Sequence, residues 1–133
     1  MADTVTSQTI QDGGRTAILK FTNESDGTGE ASVKKVDVSA LAADSDGNSC
    51  TAVTISRIYW ACRGMGVDIE FDASTNVLAI PLPADSTGDE YYDLFTGISN
   101  NAGSGKTGDI DFTTVGHSDG DAYSIILVLT KHF

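Results

Sequence analysis

Four groups of residues in this 133-residue chain are of types that could do chemistry, and their spacing decides whether they do. Gly105-Lys106-Thr107 has the ending of a phosphate-binding loop, in which backbone amides cradle phosphates and the lysine bridges them. The glycine needed five residues earlier is replaced by Asn100, and no strand-and-helix frame surrounds the segment, so it reads as a surface turn. Asp44-Ser45-Asp46-Gly47-Asn48 offers several oxygens from one bend, as a hard cation requires. Its glycine is out of place and no bidentate glutamate closes the loop, so this too reads as a turn, although the acidic loops at Asp26, Asp44–Asp46 and Asp119–Asp121 could jointly attract a cation.

His117 and His132 are the only histidines, and neither has a cysteine or a second histidine at zinc-ligand spacing. No serine sits in a nucleophile elbow, and Cys50 and Cys62 carry no thiol-enzyme signature. The carboxylates are spread over turns, the ordinary look of an acidic surface. The expectation is therefore no enzyme: no catalytic residue, no metal and no cofactor, because no constellation assigns an acid, a base and a nucleophile.

The elements that would position such groups are strands. From Thr51 to Phe71 apolar residues alternate, with Val53 and Ile55 in one phase, Ile58, Trp60 and Cys62 in another, then Val67, Ile69 and Phe71 against Asp68, Glu70 and Asp72. The slip between Ile55 and Ile58 predicts a β-bulge or a crossing between sheets near Ser56 or Arg57. Trp60 and Tyr59 read as core and subcore. Ala17, Leu19 and Phe21 alternate earlier, with Ile18 the exception, and so do Val36, Val38 and Ala40. Leu78, Ile80 and Leu82 predict the second arm of a hairpin, and Pro81 assigns that strand to a sheet edge. Ala84 to Ala102 has no clean period and reads as a loop or helical turn. Ile110 and Phe112 lead through Ser118-Asp119-Gly120 into the last run, a predicted hairpin. That run is apolar on both faces, so it is central or meets another subunit. The predicted core is Phe21, Val38, Val53, Ile55, Ile58, Trp60, Ile69, Leu78, Ile80, Phe112, Ile125, Leu127 and Leu129. The fold class is all-β: a β-sandwich of roughly seven to nine antiparallel strands, with a jelly roll among the arrangements that fit. Residues 1–14 form an amino-terminal arm or edge strand, and residues 15–133 a single sandwich domain.

Composition narrows the partners. Eight Lys and Arg against 19 Asp and Glu give a formal charge of −11, which repels phosphate backbones and anionic lipid, so neither nucleic acid nor membrane is an expected partner. The amino terminus has neither a basic start nor an apolar stretch, which predicts a chain that folds in the cytoplasm where it is made and keeps its thiols unbridged.

Three segments, Met1 to Glu30, Ile58 to Ser74 and Thr107 to Lys131, together about half of the chain, resemble a recurring small virion protein of tailed phages, including marine and cyanobacterial ones. The shared features are a QT–DG–R–A–LKFTN–SDGTGE opening, a tryptophan strand ending in Gly-Met, and a TGDI–FTT–G carboxyl segment running into GD–Y–I–L. The resemblance implies a capsid decoration, or cement, protein: on the outer capsid surface of the virion, bound to the major capsid protein, and self-associated as a homotrimer. It brings no catalytic residues. A glycan- or receptor-binding module of a head or tail fibre is the alternative. The expected capsid or subunit contacts are Thr4, Val5, Thr6, Gln8 and Ile10 on the opening segment, the aromatics Tyr91, Tyr92 and Phe95, and Ile126 and Val128 on the last strand. The opening segment is expected to order on meeting a partner, and its removal to leave the sandwich folded.

Overall fold

A computed structural model describes residues 3–92 and 97–133, and every structural statement concerns those residues. They form nine strands: β1 Thr4–Asp12, β2 Thr16–Glu24, β3 Val33–Val36, β4 Ala52–Arg63, β5 Gly66–Phe71, β6 Val77–Leu82, β7 Thr87–Tyr91, β8 Ile110–Val115 and β9 Ala122–His132. One sheet has the order β1-β2-β9-β4-β7 and the other β3-β8-β5-β6, with all pairings antiparallel. The chain is an all-β sandwich. With β1 set aside, the interleaved orders 2-9-4-7 and 3-8-5-6 are those of a jelly roll, in which successive strands pass from sheet to sheet except at the β5–β6 hairpin.

Alternation builds the core. Leu19 and Phe21 from β2, Ile55 and Ile58 from β4, and Ile125, Leu127 and Leu129 from β9 face Val67, Ile69 and Phe71 of β5 and Ile110 and Phe112 of β8, all buried. Phe112 joins the layers, edge-on to Phe21 at 5.4 Å and to Tyr123 at 5.9 Å. Each fully buried side chain of this size stabilises the fold by about 1.5–3 kcal/mol. The phase slip in β4 is a bulge: Ile55 opposes Leu129 while Arg57 opposes Val128, leaving Ser56 unpaired. Pro81 lies exposed on β6, which is the edge of its sheet.

Several expectations are corrected. β8 and β9 are consecutive but not a hairpin, because β8 pairs with β3 and β5 while β9 pairs with β2 and β4 in the other sheet. A tight acidic turn signals a reversal but not which sheet the chain enters. Val38 is buried, yet it opens a 3-10 turn, Val38–Ala40, and is not part of a strand. The Asp37 carboxylate caps that turn by accepting the Ser39 N–H, and the Asp109 carboxylate accepts the Val38 N–H at 2.9 Å. Leu78 is 49% exposed, because a bulge at Ala79 lets Ile80 oppose Ile69 and Leu78 oppose Glu70, reversing the face of Leu78. Ile80 and Trp60 are half-buried, packed on the rim of the core. The stretch from Ala84 contains a true strand, β7, recruited by pairing with β4. The opening segment is built into its own sheet, with β1 paired along β2 from Thr4 to Asp12 and a bulge at Ile10. β9 is central in its sheet, which accounts for apolar residues on both of its faces.

Candidate interaction face

The sandwich turns two unlike faces to solvent. On the outer face of the five-stranded sheet, register lines up Tyr91, Arg57, Val128, Ile18 and Gln11 across β7, β4, β9, β2 and β1. The next row is Asp89, Tyr59, Ile126, Lys20 and Gln8, and the next ends in Ser124, Thr22 and Thr6, the last two in hydroxyl contact. The middle of this face is aliphatic, one end is aromatic, the other is threonine and glutamine, and the charges are of both signs. Tyr59 and Tyr91 meet edge-to-face at 6.2 Å, and the Arg57 guanidinium lies 4.7 Å from the Tyr91 ring centre. Hydrogen bonding to Tyr59, ahead of the smaller contribution of Asp89, raises the Tyr91 phenol above its ordinary value.

The outer face of the four-stranded sheet is acidic. Asp68 and Glu70 of β5, with Asp72 just beyond it, are half-buried and alternate with buried neighbours, while Asp109 and Asp111, which flank Ile110, are themselves buried. Lys34 of β3 bridges Asp109 at 2.9 Å. Thr113 donates to Glu70 at 2.7 Å and Thr107 to Asp72 at 2.7 Å. Asp111 is buried; one of its oxygens accepts from Asn76 at 2.9 Å and the other has no donor among the described residues. Burial first, and then the Asp72 carboxyl beside it, push the Asp111 carboxyl up to about 6.

Six of the ten expected contact residues converge on the first face: Thr4, Thr6 and Gln8 on β1, Tyr91 on β7, and Ile126 and Val128 on β9. Val5 points to the inner side of β1, and Ile10 sits at the bulge, 51% exposed. Tyr92 is half-buried against the core, with its N–H donating to the Ser56 carbonyl at 2.7 Å. Phe95 lies outside the described residues. The face also holds Tyr59 and Ile18, which sequence reasoning assigned to the subcore and to an exception; their phase opposite Ile58 and Leu19 was the available signal.

The motifs weighed for chemistry serve the local backbone. Asp44 accepts the N–H groups of Asp46 and Asn48 at 3.0 and 2.8 Å, closing its own turn. Lys106 lies on the turn after Gly103, beside a shallow depression of about 500 Å³ that Asn100, Thr54 and His132 also line. Among the described residues no group of three or more His, Cys, Asp or Glu is placed to hold a metal ion. Cys50 and Cys62 are buried free thiols.

No known protein family matches the chain, and no curated protein matches it. Among solved structures it is similar to a carbohydrate binding module of family 29, with 11% identity over 96% of this chain and 89% of that one. The TM-score is 0.40, too low to bear on fold or function.

Proposed function

We propose that this chain is a capsid decoration protein of a tailed phage, lying on the outside of the shell with the outer face of its five-stranded sheet against the major capsid protein. The observation that carries this reading is the asymmetry of the two faces. One is broad, with Ile18, Ile126 and Val128 at its centre, and the other presents the half-exposed carboxylates Asp68, Glu70 and Asp72. An aliphatic centre desolvates at little cost against a protein surface, with Arg57 and Lys20 beside it as cations for carboxylates of that surface, whereas the acidic face keeps the attached molecule solvated and is repelled by nucleic acid. The resemblance of the chain to small phage virion proteins supports the same role. Many weak contacts to a repeating shell raise attachment by a factor of ~10²–10⁴ when they act together.

The test is to add the purified protein to phage heads that lack it and image them. Density at regular positions on the outer shell is the expected result. Density at the tail, or no binding at saturating protein, sinks the proposal.

The Tyr59–Tyr91 pair favours a second reading, a glycan-binding module, because the exposed Tyr91 ring, backed by Tyr59 at the end of the sheet, offers stacking surface to sugars. Binding on a glycan array that is lost in Tyr91→Ala, with no binding to heads, would replace the first reading with the second.

A further inference from the structure

The sandwich has four sheet edges, β1, β7, β3 and β6, and three of them carry features that discourage strand addition. β7 is five residues long and carries Gly88, Asp89 and Glu90. β3 has four residues, two of them Lys34 and Lys35. β6 contains Pro81. Short length, charge and proline are the ordinary protections of an exposed edge. β1 is the least guarded: its nine residues, TVTSQTIQD, include no lysine, arginine, proline or glycine, and its bulge at Ile10 and its one charge, Asp12, both lie beyond the regular run Thr4 to Thr9. All but Asp12 are exposed, and Asp12 is occupied in an ion pair with Lys131.

We infer that β1 is a self-pairing edge, joining antiparallel to the β1 of a second copy of this chain so that the two five-stranded sheets become one continuous sheet. The occupant follows from the edge inventory. A strand that adds along β1 needs an edge of comparable length free of blunting features, and in another copy only β1 offers one, over Thr4 to Thr9. A ring of three would require β1 to meet a different edge in each neighbour, and each of those is blunted; two β1 strands related by a two-fold axis close with one kind of edge.

The register is also constrained. A two-fold axis normal to the sheet keeps inner residues opposite inner residues, so opposed positions share parity. The midpoint of the regular part of β1, Thr4 to Thr9, falls between Thr6 and Ser7, so parity puts one of these two on the axis. Ser7 is favoured because it sets Val5 against the methyl-bearing Thr9 and not against a serine. Val5 then opposes the Thr9 of the second copy, and Thr6 its Gln8. The Thr6–Thr22 hydroxyl contact already shows the same kind of polar rung between β1 and β2. Val5, 43% exposed in the single chain, gains cover on the inner side.

Sedimentation of the full chain over a wide concentration range, with a cysteine placed at either of two β1 positions, tests this. The expected mass moves from 13.9 kDa to twice that value as concentration rises. Ser7→Cys, on the axis, should form a disulfide-linked pair under mild oxidation at least about tenfold faster than Thr4→Cys, because the β-carbons of opposed residues lie within bridging range. The two Thr4 positions are roughly 20 Å apart at about 3.3 Å per residue. Cys50 and Cys62 are buried and do not compete. Thr6→Lys, which guards the edge from the outer face and so stays clear of the core, should shift the dimer transition to at least about tenfold higher concentration while its melting curve stays that of the parent. A monomer at every concentration, a trimer, or equal cross-linking of Ser7→Cys and Thr4→Cys would overturn the inference. These readouts need no capsid, so they stand or fall separately from the decoration reading.

Discussion

Gly88 stands directly opposite Trp60 across the β4–β7 pair, and a Cβ built on it would lie 2.7 Å from the indole Cζ2. The absent side chain is what lets the indole lie over β7 and donate from Nε1 to the Ser86 hydroxyl at 3.0 Å. Gly88→Ala should therefore push the ring from its seat and cost about 1–3 kcal/mol, the usual range for overpacking. Trp60→Ala should cost about 2–3 kcal/mol, less than the ~3–5 of a fully packed aromatic, because the ring is half-buried. Urea denaturation of both variants checks the pair, and equal stability of Gly88→Ala and parent would show that the ring has room to move.

A carboxyl pair on the acidic face sets a pH dependence. Asp111, with an ordinary value of 3.8, is raised to about 6 in the folded chain, so the native state holds a proton that the unfolded chain has already released between those values. Its contribution to stability is fully present below about pH 4 and is lost as pH rises through about 6. Hydrogen bonds from Thr107 and with Asp111 lower Asp72, whose contribution runs the opposite way and is lost only as pH falls through its lowered value. Asp111→Asn removes the charge that must otherwise be buried, and its amide can donate to Asp72. It should gain about 1–3 kcal/mol at pH 7–8 and show no gain by pH 4 in a series of melting curves. A constant difference across that range would contradict a raised Asp111 carboxyl.

Lys131 is the deepest cation, with a fully buried side chain paired with Asp12 and donating to the carbonyls of Gly13 and Ala42 at 2.6 and 3.1 Å. It ties the end of β1 to β9 and to the loop after the 3-10 turn. Lys131→Met leaves those acceptors without their donor and should cost about 3–5 kcal/mol, measured by denaturant unfolding. Removing the chain up to Asp12 strips the same partner from a buried charge. Contrary to the expectation for a detached arm, that truncation should destabilise the sandwich by a similar amount.

Burial pushes the Cys62 thiol up to about 11, and Cys50 is equally enclosed. Alkylation at pH 8 should be at least about tenfold slower in the folded protein than in denaturant, where both thiols react. Rapid modification of the native chain would mean that the rim of the core opens.

Ile126→Lys and Val128→Lys put charge at the centre of the five-stranded sheet's outer face without entering the core. Each should change stability by no more than about 1 kcal/mol and weaken attachment to phage heads by at least about tenfold. Undiminished attachment by both variants would move the contact surface elsewhere.

Much of this molecule was legible in local chemistry. The alternation of Leu19 and Phe21, or of Val67, Ile69 and Phe71, identifies strands because side chains of an extended backbone point to opposite faces every second residue. The slip after Ile55 marked a bulge or a crossing, of which pairing with β9 made it a bulge, and Pro81 marked an edge because a missing N–H cannot join a ladder. Sheet membership was decided only in the tertiary structure. The Ser118-Asp119-Gly120 turn looks the same whether β9 folds back on β8 or crosses to β2 and β4, since that choice depends on contacts far apart in the chain. The same long-range pairing brought Tyr59 beside Tyr91 and set Ile18 beside Val128, making one face from four strands. It also opposed Glu70 to Asp111 and buried the latter, which no local spacing could announce. Periodicity sets which way a side chain points relative to its own strand, whereas the neighbours it meets are set by register between strands, and register is a property of the assembled sheet.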